Sequence, residues 1–86
     1  MPRTKFPANV VGTEIRRQRN GIGLTQEALA GRCQLMGLDI SRATLAQIEA
    51  RLRCVTDLEL FQLARVFNVS VDMLYPSEMK KTRKRR

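Results

Sequence analysis

A capped apolar stripe in the second half of the chain constrains the fold more than any other feature of the sequence. The i, i+3, i+4, i+7 spacing that gathers apolar side chains on one helix face is followed by Leu60, Leu63, Ala64 and Phe67. Before this stripe, Thr56 and Glu59 have the spacing of a capping box, in which each side chain accepts from the other residue's free backbone N–H. Asn68 suits the left-handed residue that ends many helices. The pattern predicts a helix that starts after Thr56 and stops at Asn68.

Four further segments have helical patterns, and no segment has a convincing strand pattern. They cover about residues 10–20, 25–37, 41–51 and 70–76. Thr25, Ser41 and Ser70 are suitable N-caps for the last three, because a hydroxyl oxygen can accept from a free N–H in the first turn. With 86 residues, 43% of them hydrophobic, the chain suits one domain with one small core. We therefore predict an all-α fold, a compact five-helix bundle.

The formal net charge of +8 is concentrated near the two ends of the chain. Six basic side chains lie in the final KKTRKRR, and Arg3 and Lys5 lie near the start. Between Phe6 and Ser77 the eight basic residues nearly balance seven acidic ones. We predict a basic N-terminal arm at 1–9, a folded domain at 10–76 and a basic, disordered tail at 77–86.

The residue types present argue against several functional classes. No apolar run is long enough to span a bilayer, and the basic start lacks the apolar stretch of a secretory signal, so we expect a cytoplasmic protein with no membrane partner. The chain has no histidine, and Cys33 and Cys54 do not form a C-x-x-C pair, which leaves no usual zinc set. There is also no glycine-rich phosphate loop and no nucleophile with an obvious base. We expect no metal, no cofactor and no enzymatic activity.

The helix at 41–51 has an ordinary inner face and an unusual outer one. Leu45, Ile48 and Leu52 repeat at helical spacing and are expected in the core. A solvated outer face is usually dense in Glu and Lys, but this one consists of Arg42, Ala43, Ala46, Gln47 and Ala50. One guanidinium and one amide thus stand among small side chains.

Several separated motifs resemble the Cro and phage-repressor-like helix-turn-helix family of DNA-binding proteins. They are VGxxIR with Arg19, GLTQEALA, SRATLAQIE and NVSVDMLYP, and the resemblance covers about residues 11–76. It implies a repressor-like helix-turn-helix domain whose recognition helix is residues 42–50. It also implies an ion pair between Arg19 and Glu49 that braces the first and third helices.

The resemblance gives the outer face of the third helix a physical purpose. Small side chains let a recognition helix approach the floor of the major groove closely. Arg42 could then donate two hydrogen bonds to guanine O6 and N7, and Gln47 could pair with adenine N6 and N7. The expected base-contacting residues are Arg42, Gln47, Ser41, Ala43 and Ala46.

Contacts with the DNA backbone should come from other residues. The start of the second helix offers free N–H groups and the positive end of the helix dipole, which suit a phosphate. The expected phosphate-contacting residues are Thr25, Gln26, Thr44, Arg51 and Arg53. The KKTRKRR tail could add affinity that does not depend on sequence.

Two departures from the family pattern affect the surroundings of the recognition helix. Between Cys33 and Ser41 the segment QLMGLDI is roughly four residues longer than the usual turn, and it could lengthen the second helix or form a loop. Asp39 within it is expected to face away from DNA. Arg51 stands where the family most often has glycine, at a position expected to need a positive φ.

The function implied by the resemblance is sequence-specific binding of double-stranded DNA by a transcriptional repressor. A homodimer would bind a palindromic site with half-sites about 34–36 Å apart. Two alternatives remain open: a protein-interaction module, for example one that binds a partner as an antitoxin does, and an RNA binder that uses the basic tail. A sequence-specific DNA-binding protein needs selectivity that depends on Arg42 and Gln47, whereas the two alternatives predict that mutations there are nearly harmless.

Overall fold

In the computed structural model, which describes residues 7–77, four α-helices and one short 3₁₀ helix follow one another. The elements are α1 Gly12–Gly21, α2 Gln26–Leu35, α3 Arg42–Glu49, α4 Asp57–Phe67 and the 3₁₀ helix Val71–Leu74. The all-α prediction is confirmed, but the fifth predicted α-helix is a 3₁₀ helix of four residues. Ser70 precedes it without a side-chain capping hydrogen bond. The predicted tail lies almost wholly outside the described residues, as does most of the predicted arm.

The helix ends follow the capping signals in the sequence. The Thr25 hydroxyl accepts from the Ala28 N–H at 3.0 Å at the start of α2. At the start of α4, the Thr56 hydroxyl accepts from the Glu59 N–H while the Glu59 carboxylate accepts from the Thr56 N–H, which completes the capping box. Asn68 takes the left-handed conformation at φ 59°. These local patterns therefore fix where the helices begin and end.

Every element contributes at least one fully buried side chain to a single core. The largest of these side chains are Ile15, Leu29, Cys33, Leu45, Ile48, Leu63 and Leu74. Cys33 behaves as a small buried hydrophobe, and burial raises the pKa of its thiol to about 11. Within residues 7–77, no cluster of His, Cys, Asp or Glu could hold a metal ion and no helix is long and apolar enough to cross a membrane.

The predicted inner stripe of the third helix is wrong at its last member. Leu45 and Ile48 are fully buried, but Leu52 is 75% exposed. The helix ends at Glu49, and Arg51 turns the chain with a positive φ of 65°. The helical period therefore does not extend to Leu52, and its side chain leaves the core face.

The first turn of α1 packs unusually close to the end of α3 at Gly12. A Cβ built on Gly12 would overlap the backbone carbonyl oxygen of Ile48 and lie 2.9 Å from Cγ of Arg51. A backbone atom cannot move aside as a flexible side chain can. The position therefore requires glycine for space.

We expect Gly12→Ala to lower the free energy of unfolding by about 2 kcal/mol, because the added methyl group must push α1 away from α3. Gly31→Ala is the matched control, since nothing lies within 4 Å of a Cβ at that helical position. Alanine there should raise stability by up to about 1 kcal/mol through helix propensity. Urea unfolding of both variants tests the pair, and equal effects would contradict the packing argument.

Candidate nucleic-acid interface

The outer face of α3 is open to solvent and carries two long polar side chains. Arg42, Ala43, Gln47 and Ala50 are exposed, and Ala46 is half-buried. Neither the Arg42 guanidinium nor the Gln47 amide is held by another group among residues 7–77. Both side chains are therefore available to a ligand, with small residues between them.

The hydroxyls at the start of α3 are engaged with each other. The Ser41 hydroxyl accepts from the backbone N–H of Thr44 at 3.1 Å and donates to the Thr44 hydroxyl, also at 3.1 Å. Both residues remain accessible at the surface. Contact of either hydroxyl with DNA would have to share or replace this capping arrangement.

The end of α3 is attached to α1 and α2 through the buried carboxylate of Glu49, whose side chain is 0% exposed. Arg19 binds both oxygens of Glu49, with Nε donating to Oε2 at 2.7 Å and Nη2 donating to Oε1 at 2.9 Å. Nη1 of Arg19 donates to the Leu24 carbonyl at 2.8 Å. Gln26 adds a hydrogen bond from Nε2 to Oε1 of Glu49 at 3.0 Å, and Nε of Arg16 lies 3.6 Å from the same oxygen. We call Arg16, Arg19, Gln26 and Glu49 the Glu49 cluster.

The Glu49 cluster keeps its carboxylate ionised. Burial by itself would raise the pKa of Glu49, but hydrogen bonds from Arg19 and Gln26, with the charges of Arg19 and Arg16, hold that pKa below its usual range. The same hydrogen bonds to Glu49 raise the pKa of Arg19. An ion pair therefore links the last residue of α3 to α1.

The residues predicted to contact phosphate have different surroundings. Thr25 caps α2 at the surface, and Arg51 is exposed after α3. The Gln26 amide is held by Glu49. Arg53 pairs with Glu59 through hydrogen bonds of 3.0 and 2.8 Å, so its charge is balanced within the domain. This ion pair lowers the pKa of Glu59 and was not predicted from the sequence.

The longer segment QLMGLDI between α2 and α3 lies partly in α2 and partly in a loop. Helix α2 ends at Leu35, and Gly37 turns the chain at a φ of 90°. Leu38 and Ile40 are buried and attach the loop to the core, while Asp39 is exposed. The QLMGLDI segment is therefore divided between the last two residues of α2 and a five-residue loop at 36–40 that packs on the core.

Arg51 has the positive φ expected where glycine is usual in the family, at 65°. Its N–H donates to the Ile48 carbonyl at 3.0 Å, and its own carbonyl accepts from the Ala8 N–H at 3.1 Å. A side chain in this conformation costs about 1 kcal/mol. Arg51 in the loop after α3 therefore lowers the free energy of unfolding relative to a glycine at the same position.

We expect Arg51→Gly to raise the free energy of unfolding by about 0.5–1 kcal/mol, because glycine adopts positive φ without steric cost. Thermal unfolding of the variant and of Arg51→Ala provides the measurement. Alanine retains the strain and should give no gain. If both variants were equally stable, left-handed strain at this position would be negligible.

Asn9, which was predicted to lie in the N-terminal arm, is a structural residue of the folded domain. Its side-chain oxygen accepts from the N–H groups of Val11 and Gly12 at 3.1 and 2.8 Å. Its Nδ2 donates to the carbonyls of Ile48 and Arg53 at 3.1 and 2.8 Å. Asn9 thus caps α1 and binds the end of α3 at once. The available signal was an Asn at capping distance before the first helical turn.

Comparison of the sequence with models of known protein families identifies the family of this domain. The model of the helix-turn-helix family HTH_3 matches residues 15–74, which cover α3 and most of the described domain. The chain belongs to this family. It is thus an HTH_3 DNA-binding domain that resembles transcriptional regulators, and α2 and α3 are the two helices of its motif.

Solved structures of similar fold include bacterial proteins. The restriction-modification controller protein C.AhdI from Aeromonas hydrophila is 28% identical, and the match covers 76% of this chain and 87% of that one with a TM-score of 0.66. The hypothetical transcription factor NHTF from Neisseria is 25% identical over 95% of this chain and 91% of its own, with a TM-score of 0.69. The DNA-binding domain of BldD, 24% identical over 86% of this chain and all of its own, has the same fold at a TM-score of 0.69. No curated protein matches the sequence.

Proposed function

We propose that this HTH_3 domain binds double-stranded DNA in a sequence-specific manner and acts in the cytoplasm as a transcriptional repressor, without enzymatic activity. The observation that carries the proposal is the outer face of α3, where Arg42 and Gln47 are exposed and separated by alanines, and where neither side chain is bound by another residue within 7–77. The helix beneath them is braced by the ion pair of Arg19 and Glu49. A braced helix suits direct reading of base edges when it presents a guanidinium that donates two hydrogen bonds and an amide that donates one and accepts one.

The base contacts follow from the position of each residue along α3. Arg42 lies in the first turn, the part of a recognition helix that reaches base edges, and its fork suits guanine. Gln47 lies more than one turn later and suits adenine. Ala43 and Ala46 would contact thymine methyl groups, and Ser41 would contact the DNA at the edge of this face.

The phosphate contacts surround that face. Thr25 and Gln26 start α2, the helix that crosses the DNA backbone in such motifs, and Thr44 and Arg51 lie at either end of α3. Arg53 would reach a phosphate only by sharing or leaving Glu59. Such contacts set register and make affinity depend on salt without selecting a sequence. The KKTRKRR segment adds charge of the same kind.

A homodimer on a palindromic site is part of the proposal. One short recognition helix reads only a few base pairs, and two-fold symmetry doubles the contacts. The exposed apolar side chains Leu58 and Phe61 on α4 support a protein contact outside the DNA-reading face. Sedimentation of the complex with an isolated palindrome measures the number of protomers, and a mass of one protomer would rule the dimer out. Retention of a protein of different sequence on this surface would favour the interaction-module alternative.

Selection from a random duplex library at about physiological salt tests the proposed function. Sequencing of the bound DNA should give a palindromic consensus, because only direct reading concentrates information at defined base pairs. Deleting the KKTRKRR segment should lower overall affinity but leave the consensus unchanged. If every sequence were retained equally and the deletion abolished binding, the domain would not read DNA.

A further inference from the structure

Arg16 is a surplus cation in the Glu49 cluster. Two oxygens of Glu49 accept from Arg19, and one of them also accepts from Gln26. Arg16 approaches this satisfied oxygen only to 3.6 Å, and its side chain remains 55% exposed. The cluster therefore holds two guanidinium groups and one carboxylate. Its excess positive charge lies on the residue that faces solvent.

Three other arginines of the domain, Arg17, Arg53 and Arg65, do not share this situation. Arg17, the next residue on α1, donates to the Glu14 carboxylate at 2.9 Å and is paired within its own helix. Arg53 is paired with Glu59. The guanidinium of Arg65 lies 5.8 Å from the centre of the Phe61 ring. Arg16 differs because its carboxylate partner already has a closer and bidentate cation.

The position of Arg16 is defined by the oxygen that it shares with Gln26. Both side chains converge on Oε1 of Glu49, so the Arg16 guanidinium on α1 lies beside Gln26, the first residue of α2. The Glu49 carboxylate belongs to the last residue of α3. Arg16 thus stands where all three helices meet at one side of the recognition helix.

We infer that Arg16 is a DNA-backbone contact, in which its guanidinium binds a phosphate next to the one approached by Gln26. This inference rests on the proposed function. Guanidinium groups bind phosphate through short, charge-assisted hydrogen bonds. Arg16 and Gln26 can both turn from Glu49 to the backbone, because Arg19 continues to bind both carboxylate oxygens. No buried charge is left unpaired by the exchange.

Salt dependence of binding tests this role, because each neutralised phosphate on duplex DNA contributes about 0.9 to the slope of log affinity against log salt. We would measure fluorescence anisotropy of the selected site with wild type, Arg16→Gln and the control Arg17→Gln, between about 50 and 200 mM salt. Arg16→Gln should reduce the slope by about 0.9 and leave the base consensus unchanged. Arg17→Gln should leave the slope near that of the wild type. Arg16→Lys should restore most of the slope, which a purely structural role of the guanidinium fork would not predict.

The outcomes separate this inference from the proposed function. Site-specific binding by the wild type with equal slopes for Arg16→Gln and Arg17→Gln would overturn the role of Arg16 alone. A wild type that prefers no sequence would overturn the proposed function itself. Thermal unfolding of the two glutamine variants under the same conditions verifies that each binding curve reports folded protein.

Discussion

Replacement of Arg19 with methionine is expected to lower the free energy of unfolding by about 3–5 kcal/mol. Methionine keeps much of the side-chain volume but removes the donors that hold both oxygens of Glu49. The Glu49 side chain is 0% exposed, and the Arg19 side chain is only 12% exposed. The variant therefore buries a carboxylate without its main counter-charge, which Gln26 and the more distant Arg16 cannot replace.

The pH dependence of stability identifies this cause. In the wild type the pKa of Glu49 is depressed, so its contribution to stability is present above pH 4.5 and is lost as the pH falls through the folded-state pKa. In Arg19→Met, burial should raise that pKa. The destabilisation should then grow as the pH rises through the new pKa and shrink as the pH is lowered toward about 5.

Urea unfolding at several pH values provides the measurement, with Arg53→Met as the control. Arg53 and Glu59 form a bidentate pair of similar length, but it lies nearer the surface. Its loss should cost about 1 kcal/mol or less, because solvent screens the remaining charge. Equal losses in the two variants would contradict the account of a buried brace.

Asn9→Ala is expected to cost about 3 kcal/mol, although the residue lies before the first helix. The substitution removes four hydrogen bonds. Asn9 accepts two of them from N–H groups just before and at the first residue of α1, and donates two to carbonyls near and after the end of α3. Each buried group left without a partner costs on the order of 1 kcal/mol or more. A domain of this size should lose roughly 15 °C of melting temperature.

Two further variants locate the origin of that loss. Asn9→Asp retains acceptors for the N–H groups of Val11 and Gly12 but turns a carboxylate oxygen toward the carbonyls of Ile48 and Arg53. It should therefore be at least as damaging as Asn9→Ala. Asn20→Ala, at an exposed position near the end of α1, should change stability by less than about 0.5 kcal/mol. A mild effect of Asn9→Asp would mean that the side chain serves only as a helix cap.

The sequence was informative wherever the determining interactions are local. The capping box at Thr56 and Glu59 and the left-handed Asn68 depend on residues a few positions apart, and the helix ends followed them. Leu52 was misassigned because a periodic pattern does not record that the helix ended at Glu49. The last element is a 3₁₀ helix of four residues, too short for a helical pattern to distinguish from one α-helical turn.

The candidate site was predictable in part for a related reason. Helical spacing indicated which face of α3 is exposed, and the family pattern indicated that Arg51 would take a positive φ. It did not reveal Asn9, whose partners Ile48 and Arg53 are 39 and 44 residues away. It also did not reveal that Arg16 and Gln26 meet at Glu49, since that contact requires three helices to be packed first.

The most direct test of the central claim is the affinity of single recognition-face variants for the selected DNA site and for a scrambled duplex. Arg42→Ala and Gln47→Ala should each weaken binding to the selected site by roughly tenfold to 100-fold and leave binding to the scrambled duplex nearly unchanged. Arg17→Ala on α1, which removes only the pair with Glu14, should affect neither. Equal, small losses on both duplexes for all three variants would contradict the claim that α3 reads DNA sequence.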